Sequence, residues 1–423
     1  MFEINQGRIN LALSSAAFAI SSAGSVLLHV VLAVTVFGKT GSSLMTSMFV
    51  ALQWLPALLV VLYRSDWDRG IDPRVRWWRL ELASAALTLP LLLLIGGGNY
   101  LAVAAVLLVR GLADQVNRIN KTVAARVLFP KAKATHYASF LQTSYHFGIA
   151  LAAVVGIATA GSLDIRWVAL IDALTFVVAA GLIAITRCVE KVEEGGEPSP
   201  PRPLAARVAE YRSALRNDRR LLVCALLPPL TATFFQGTYS ALQPIFPIQK
   251  LSLDSAAVSA SYIIVSAAVL AGSSAFSFFC KKYRLFEQPF ARTQLLAVLL
   301  SIAAAALYFG AVWTGSTLAS AAQFGLMVLV FEFVWMMGYT GIVAFAPKGQ
   351  LGSVFGISFA LGCFFASVLA TLTGALLEVL GGAYTTLIGL LMVGYLSILA
   401  AVVLSYSPSG AAVEANGRVV EPS

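Results

Sequence analysis

Glu332 lies inside an apolar run, Leu326 to Gly341 (LMVLVFEFVWMMGYTG), that belongs to a segment long enough to cross a bilayer. A carboxylate in hydrocarbon is costly, so such a side chain is expected to face a polar interior and to have a function. Its helical face also carries Gly325, Met336 and Tyr339, a mixture suited to a cavity wall. We expect Glu332 to exchange a proton or to bind a cationic group of a ligand. The alternative is a protonated carboxylate that braces a neighbouring helix.

A second polar face lies in an earlier apolar segment. Arg110, Asp114, Asn117, Arg118 and Lys121 follow the spacing i, i+4, i+7, i+8 and i+11, which is one side of a helix. This side cannot face lipid, and Arg110 can pair with Asp114 one turn away. We expect a binding or proton-coupling role for this pair. The alternatives are mutual neutralisation or bracing, with Arg118 and Lys121 solvated beyond the membrane.

Further polar residues suggest a wet interior. Gln142 and His146 lie one turn apart, and Gln236, Tyr239 and Gln243 share another helical face. Histidine changes its charge near neutral pH, so His146 is a candidate proton carrier; the alternative is a hydrogen bond to a neighbour.

Small hydroxyl residues recur along two other segments. They are Ser14, Ser21 and Ser25 with His29 in one, and Ser259, Ser266 and Ser273 in the other. Such residues line aqueous cavities or allow helices to pack closely in membranes, and both interpretations stay open.

The elements that must position these side chains are membrane-spanning helices. Hydrophobic residues make up 59% of the 423 residues, charged residues 12%, and the mean hydropathy is +0.83. Apolar runs of about 20 residues each suit a helix that crosses roughly 30 Å of hydrocarbon. We predict an all-α membrane protein with twelve spans in two pseudo-symmetric six-helix bundles. The spans are 11 to 36, 44 to 63, 80 to 97, 100 to 122, 137 to 160, 166 to 186, 221 to 244, 255 to 279, 293 to 313, 318 to 344, 353 to 378 and 384 to 405.

Lysine and arginine mark one side of the predicted bundle. With both termini cytoplasmic, 25 of the 29 basic residues fall in cytoplasmic segments; Lys39, Arg166 and Lys250 fall on the other side, and Arg110 lies within a span. This orientation accounts for the net charge of +9 without a nucleic-acid partner.

The longest connection divides the chain. We predict an N-terminal bundle over 1–186, a cytoplasmic loop over 187–220, a C-terminal bundle over 221–406 and a cytoplasmic tail over 407–423. The loop is first acidic, then proline-rich, and then has the pattern of an amphipathic surface helix. Both halves share a basic second-to-third connection, a tight third-to-fourth turn and a Pro-Lys pair, which favours an internal duplication.

Several motifs resemble those of the major facilitator superfamily. DRGIDPR matches the charged part of its loop motif through Asp68, Arg69 and Arg74, although Arg64 replaces the leading glycine. LLVRG resembles its fourth-span arginine motif and assigns that arginine to Arg110. WVALIDALTFVVAAG, around Asp172, is similar to the branch that contains the enterobactin exporter and macrolide efflux proteins. The sixth span flanks the cavity in this superfamily, so the resemblance implies a structural role for Asp172. The fifth span has the glycines of the antiporter motif but not its proline.

This resemblance implies a proton-coupled secondary transporter that works by alternating access. Its branch implies export of a small amphipathic molecule, siderophore or drug-like, by a monomer in a bacterial inner membrane. An importer of a siderophore or nutrient is a second hypothesis, and a membrane sensor without transport is a third.

An enzyme is not indicated by the sequence. It contains neither HExxH nor GxSxG, and GKTG at Gly38 lacks the upstream glycine of a P-loop, so an ATP-driven pump would need a second chain. The four cysteines have no CxxC or metal-binding spacing and are expected to be free thiols. We predict no cofactor and no metal.

Overall fold

The protein is a bundle of helices. A computed structural model describes residues 2–63, 72–95, 98–130, 134–159, 164–189, 203–286, 289–347 and 350–404. No β-strand occurs within these ranges. The helices are α1 (Phe2–Thr40), α2 (Ser43–Ala51), α3 (Pro56–Tyr63), α4 (Pro73–Thr88), α5 (Leu91–Leu94), α6 (Tyr100–Leu128), α7 (Ala134–Ala158), α8 (Ile165–Ala184), α9 (Leu204–Asn217), α10 (Arg219–Thr231), α11 (Thr238–Leu242), α12 (Phe246–Gln249), α13 (Ser255–Tyr283), α14 (Phe290–Trp313), α15 (Thr317–Phe345), α16 (Leu351–Val379) and α17 (Tyr384–Leu404), with a π-helical turn, Ala232–Gly237, between α10 and α11.

The predicted membrane class is confirmed. In the described part of the chain, eleven helical stretches are long and apolar enough to cross a membrane. The fifth predicted span corresponds to α7, whose described apolar part is shorter and covers Thr143–Ala158. The chain is therefore a multi-pass membrane protein of about the predicted number of spans.

Prolines interrupt two of the spans. The second span is divided into α2 and α3, and α3 begins at Pro56. In the seventh, Pro228 and Pro229 lie inside α10, where their missing N–H groups remove two helical hydrogen bonds. The Thr231 hydroxyl donates to the Leu227 carbonyl at 2.8 Å, and the backbone then widens into the π-helical turn. The turn carries Gln236.

Polar contacts join the helices at one end of the bundle, which we call the basic end. The Asn10 side-chain amide donates to the carbonyls of Leu128 and Arg187, at 2.8 and 2.7 Å, and so links the start of α1 to the ends of α6 and α8. Arg74, at the start of α4, donates to the Thr186 carbonyl and pairs with Asp72 at 3.3 Å.

The helices form two groups that meet along two seams. Helix α1 packs on α7 and α8, and α4 packs on α6 and α8; in the second group, α15 packs on α10, α13 and α14. The seams are α2 with α16 and α7 with α13. At Gly374 of α16, an added Cβ would lie 2.6 Å from the Ser43 carbonyl oxygen, so the first seam requires glycine there.

The opposite end also joins the two groups. The Ser42 hydroxyl donates to Glu378 Oε1 at 2.6 Å, and the Leu44 N–H donates to the same oxygen at 3.0 Å. These contacts connect α2 to the last turn of α16.

Candidate functional site

Arg110 of α6 forms a buried ion pair with Asp172 of α8. Its Nη2 lies 2.7 Å from Asp172 Oδ2, and the two side chains are 1% and 0% exposed. The same Nη2 donates to the Ser25 hydroxyl at 2.9 Å, while the Thr88 hydroxyl donates to Asp172 at 3.4 Å. The Phe176 ring covers the guanidinium at 5.3 Å. Helices α1, α4, α6 and α8 therefore meet at one charged centre.

Asp114 is the weaker partner of Arg110. Arg110 Nε and Asp114 Oδ2 lie 4.0 Å apart, so the ion pair expected along α6 is present only at the longest distance that counts as an ion pair. The Asp114 side chain is 31% exposed and accepts from the Ser84 hydroxyl at 3.2 Å. The helix turns Arg110 toward α8, where a fully buried carboxylate is closer. Nε and Nη1 of Arg110 have no hydrogen-bond partner within the described residues.

Sequence analysis missed a second buried pair. Glu81 of α4 is fully buried, and its Oε1 accepts from Lys121 Nζ at 3.0 Å, from Trp77 Nε1 at 2.8 Å and from Asn117 Nδ2 at 3.0 Å. Lys121 also lies 4.2 Å from the centre of the Phe18 ring. The alternative in which Lys121 is solvated beyond the membrane is therefore wrong, because its ammonium is held inside the helix bundle.

Arg118 lies where the two groups of helices meet. Its guanidinium is 5.3 Å from the Tyr145 ring of α7 and 5.6 Å from the Phe359 ring of α16. Arg118 is thus an interhelix residue rather than a solvated end.

His146 faces this same region. Its ring packs against Tyr145 at 5.2 Å in an edge-to-face arrangement, and its Nδ1 is buried without a hydrogen-bond partner in the described structure. The side chain of Gln142, expected one turn away, lies outside the described residues. Asp68 and Arg69 of the loop motif also lie outside them.

Glu332 is turned toward α13. Its Oε1 accepts from the Ser273 hydroxyl at 2.9 Å, and an added Cβ on Gly272 would lie 3.0 Å from its Cβ. No basic residue pairs with it in the described part of the chain. A half-buried carboxylate whose one partner in the described structure is a hydroxyl differs chemically from the ion-paired carboxylates of α4 and α8.

Aromatic side chains of α11 and α15 pack closely on their neighbours. Tyr239 packs edge-to-face on Phe331 at 6.4 Å, and Tyr339 packs on Phe355 of α16 at 4.6 Å. Both tyrosines are buried, so the cavity wall that the sequence predicts around Glu332 stays a prediction.

The remaining predicted residues have separate places. Gln243 donates to the Ser261 hydroxyl at 2.9 Å, which ties α11 to α13, and Gln236 lies on the π-helical turn. The hydroxyls of Ser14 and Ser21 donate to carbonyls of their own helix, whereas Ser25 contacts Arg110. The choice between a water-lined cavity and close helix packing therefore stays open for these serines.

The arrangement favours proton and ligand binding rather than covalent chemistry. No group of three or more metal-ligating side chains occurs among the described residues. What the bundle offers instead is a set of buried charges in one group of helices and a carboxylate without a counter-charge in the other. Such intramembrane ionisable residues are typical of substrate and proton pathways.

The comparisons with known proteins agree with this picture. A family model described as "Major Facilitator Superfamily" matches residues 13–371. No curated protein sequence matches the chain. Among solved structures, a bacterial homolog of the human lysosomal transporter Spinster, inward-facing and unoccupied, has a TM-score of 0.69 at 11% identity and covers 95% of this chain and 96% of its own.

Two further structures are similar over the whole length. A mutant of the nucleoside transporter NupG has a TM-score of 0.65 at 12% identity, with 94% of this chain and 100% of that chain covered. A mutant of the peptide transporter POT in complex with sulfate has a TM-score of 0.68 at 13% identity, with coverages of 93% and 94%. At these identities the likeness shows a shared fold.

Proposed function

Because the chain belongs to the Major Facilitator Superfamily, we propose that this transporter is a proton-coupled carrier that exports a small amphipathic molecule. Its family and its structural neighbours are those of a transporter rather than an enzyme. The membrane setting and a small-molecule substrate follow from the family. Proton coupling, the direction and the substrate are our proposals.

The proposal rests on Glu332. This carboxylate is held between α13 and α15 by the Ser273 hydroxyl, without a basic partner in the described structure. An unpaired charge in such a place is costly, whereas the protonated acid is not. A change from a closed to a water-exposed environment therefore favours release of a proton from Glu332. Alternating access would supply that change in each cycle.

The alternating movement is proposed to occur between the groups of helices on either side of the seams. We divide the chain at residues 187–220 into an N-terminal bundle, 1–186, and a C-terminal bundle, 221–406, followed by a tail over 407–423. Each would move as a unit about a central site. The excess of basic residues supports an orientation with the basic end in the cytoplasm of a bacterial inner membrane. We propose a monomer.

The substrate is proposed to belong to the siderophore or drug-like class. The support is the IDALT segment of the efflux branch, which supplies Asp172, and the LLVRG segment, which supplies Arg110; the two residues form one ion pair. Tyr239, Tyr339 and Arg118 offer aromatic faces and a cation to a planar or anionic ligand.

Flux measured in proteoliposomes tests the proposal. The panel holds a catecholate siderophore, a carboxylate siderophore, a macrolide and a cationic dye, each under an imposed pH gradient. We expect Glu332→Gln to lower gradient-driven flux roughly tenfold or more, because the proton-carrying group is lost. Exchange without a gradient should persist, which shows that the variant is folded.

Asp254→Asn is the matched control. Asp254 is exposed at the start of α13, and asparagine caps helices as well as aspartate does, so flux should not change. Gradient-driven flux retained by Glu332→Gln would refute the role of Glu332 and direct attention to Arg110, Asp114 and His146. Ligand binding without flux would indicate a sensor, and flux only in the inward direction an importer.

A further inference from the structure

A cavity at the basic end lies apart from the proposed transport site. It has a volume of about 410 Å³ and is bounded by α9 and the first turn of α10. The residues that line it are Val208, Tyr211, Arg212, Leu215, Arg216, Arg219 and Leu222. We name it the α9 groove.

The α9 groove combines a cationic rim with an apolar floor. Arg212 and Arg216 are one turn apart on α9, and Arg219 begins α10; all three are exposed. Leu215 is buried between them, and Val208 is 45% exposed. A soluble anion would need only the arginines. An apolar floor beside them matches a molecule with a charged head and hydrocarbon chains.

The local charge balance also favours an anionic ligand. Between residues 204 and 222 the chain has five arginines and two acidic residues, Glu210 and Asp218. Asp218 is occupied by Arg220, whose Nη2 lies 3.1 Å away, and its oxygens also accept from the first N–H groups of α10. The groove therefore has an excess of positive charge.

The depth of the groove corresponds to the membrane surface. The sixth of the eleven apolar stretches begins at Arg219, so we infer that Arg219 lies where hydrocarbon gives way to head groups. Helix α9 comes immediately before it, with Val208 and Leu215 on the same face as Arg212. Basic residues next to a membrane span attract anionic lipid head groups. We propose that the α9 groove binds the phosphate head group and upper acyl chains of an anionic phospholipid.

Lipid in this groove would act on the seam between the two groups of helices. Tyr211 lines the groove, and its hydroxyl lies 3.2 Å from the Ser358 hydroxyl of α16. Tyr211 and Leu58 of α3 both pack against the buried cluster of Ile357 and Ala360. A bound lipid would hold α9 against this junction and favour closure at the basic end. This effect on transport rests on the proposed function, whereas the binding site itself does not.

Lipid binding to the full-length protein in detergent tests the site. We would measure binding of dioleoylphosphatidylglycerol by native mass spectrometry, with dioleoylphosphatidylcholine as the zwitterionic comparison. The groove variant Arg212→Gln/Arg216→Gln/Arg219→Gln should bind the anionic lipid at least about tenfold more weakly, since each basic residue near a lipid surface contributes roughly fivefold. Phosphatidylcholine binding should be weak and unchanged.

A second triple variant is the matched control. Lys281→Gln/Lys282→Gln/Arg292→Gln removes the same charge from exposed positions elsewhere at the basic end. Its affinity for the anionic lipid should stay within about twofold of the wild type. Equal losses in both triples would overturn the proposal, because they would indicate attraction by net charge alone. If the groove triple does not fold, Arg216→Gln alone should still lose roughly fivefold.

Competition with inorganic phosphate tests whether the groove binds a lipid head group or free phosphate. Inorganic phosphate at the same concentration should not displace the lipid, and Val208→Ser should weaken lipid binding by removing part of the floor. Displacement by phosphate would overturn the lipid assignment. Flux of the wild-type protein with and without phosphatidylglycerol separates the two proposals. No flux in any lipid would refute transport. Lipid binding that is lost only in the groove triple variant would still support the binding site.

Discussion

The sharpest prediction concerns the pair of Arg110 and Asp172. We expect Asp172→Asn to destabilise the protein by about 3–5 kcal/mol, because the buried guanidinium loses its close counter-charge and keeps only the more distant, partly exposed Asp114. At 2.7 Å the attraction between the two charges is about 6 kcal/mol for an effective dielectric constant of about 20. Asparagine keeps the shape and one acceptor oxygen, so the change isolates the charge.

Asp114→Asn provides the comparison within the same cluster. Its carboxylate is 4.0 Å from Arg110 Nε and 31% exposed, and pairs of this kind contribute less than about 1 kcal/mol. Thermal unfolding of the protein in detergent measures both changes. For a unit of this size, Asp172→Asn should lower Tm by roughly 6 °C or more, whereas Asp114→Asn should lower it by about 2–4 °C at most.

The double variant Arg110→Met/Asp172→Leu completes the test. Removing both charges leaves neither ion without a partner, so it should recover most of the stability lost in Asp172→Asn. Equal losses of stability for Asp172→Asn and Asp114→Asn would refute the reasoning. So would a double variant as unstable as Asp172→Asn, since the cost would then come from packing.

Two further predictions concern the ends of the bundle. Glu378→Ala removes both hydrogen bonds to the start of α2. In a Ser47→Cys chain, whose new thiol lies at the first seam, this change should make the reaction with a water-soluble maleimide roughly fivefold faster. An unchanged rate would contradict a role for Glu378 in holding this end closed. Partial burial and the Asp72 carboxylate, 3.6 Å from Sγ, raise the pKa of the Cys188 thiol. In a chain with Cys188 as its single cysteine, the labelling rate should therefore keep rising with pH beyond the pH at which the rate for an ordinary thiol becomes constant. In that chain Asp72→Asn should accelerate labelling a few-fold at pH 8, and a slower reaction would refute the assigned cause.

The fold could be predicted from the sequence because membrane spans depend on local properties. Apolar length and the basic excess on alternate connections are visible along the chain itself, and they gave the class and the approximate number of spans. The interruptions at Pro56 and Pro228 follow from known backbone chemistry. The π-helical turn depends on how the neighbouring helix α16 packs against it, and that contact is not encoded locally.

The candidate site was only partly predictable. The polar side of α6 is evident from spacing, but the partners of its residues belong to other helices. Arg110 was expected to pair with Asp114 on its own helix, and the rotation of α6 against α8 makes Asp172 closer. Glu81 was missed, although its position in the third span was a signal. Glu81 and Lys121 both lie near the basic end. Because α4 and α6 are antiparallel neighbours, the two residues lie at the same depth in the bundle.

The distribution of buried charge connects the site to the proposed mechanism. In the described part of α1 to α8, Arg110 and Lys121 have oppositely charged partners in Asp172 and Glu81. Within the described residues Glu332 has a hydroxyl partner only, so the cost of its charge depends directly on the water that reaches it. A movement that opens one end and closes the other therefore acts far more on Glu332 than on the pairs. We infer that the ion pairs keep one bundle rigid while Glu332 carries the proton in the other.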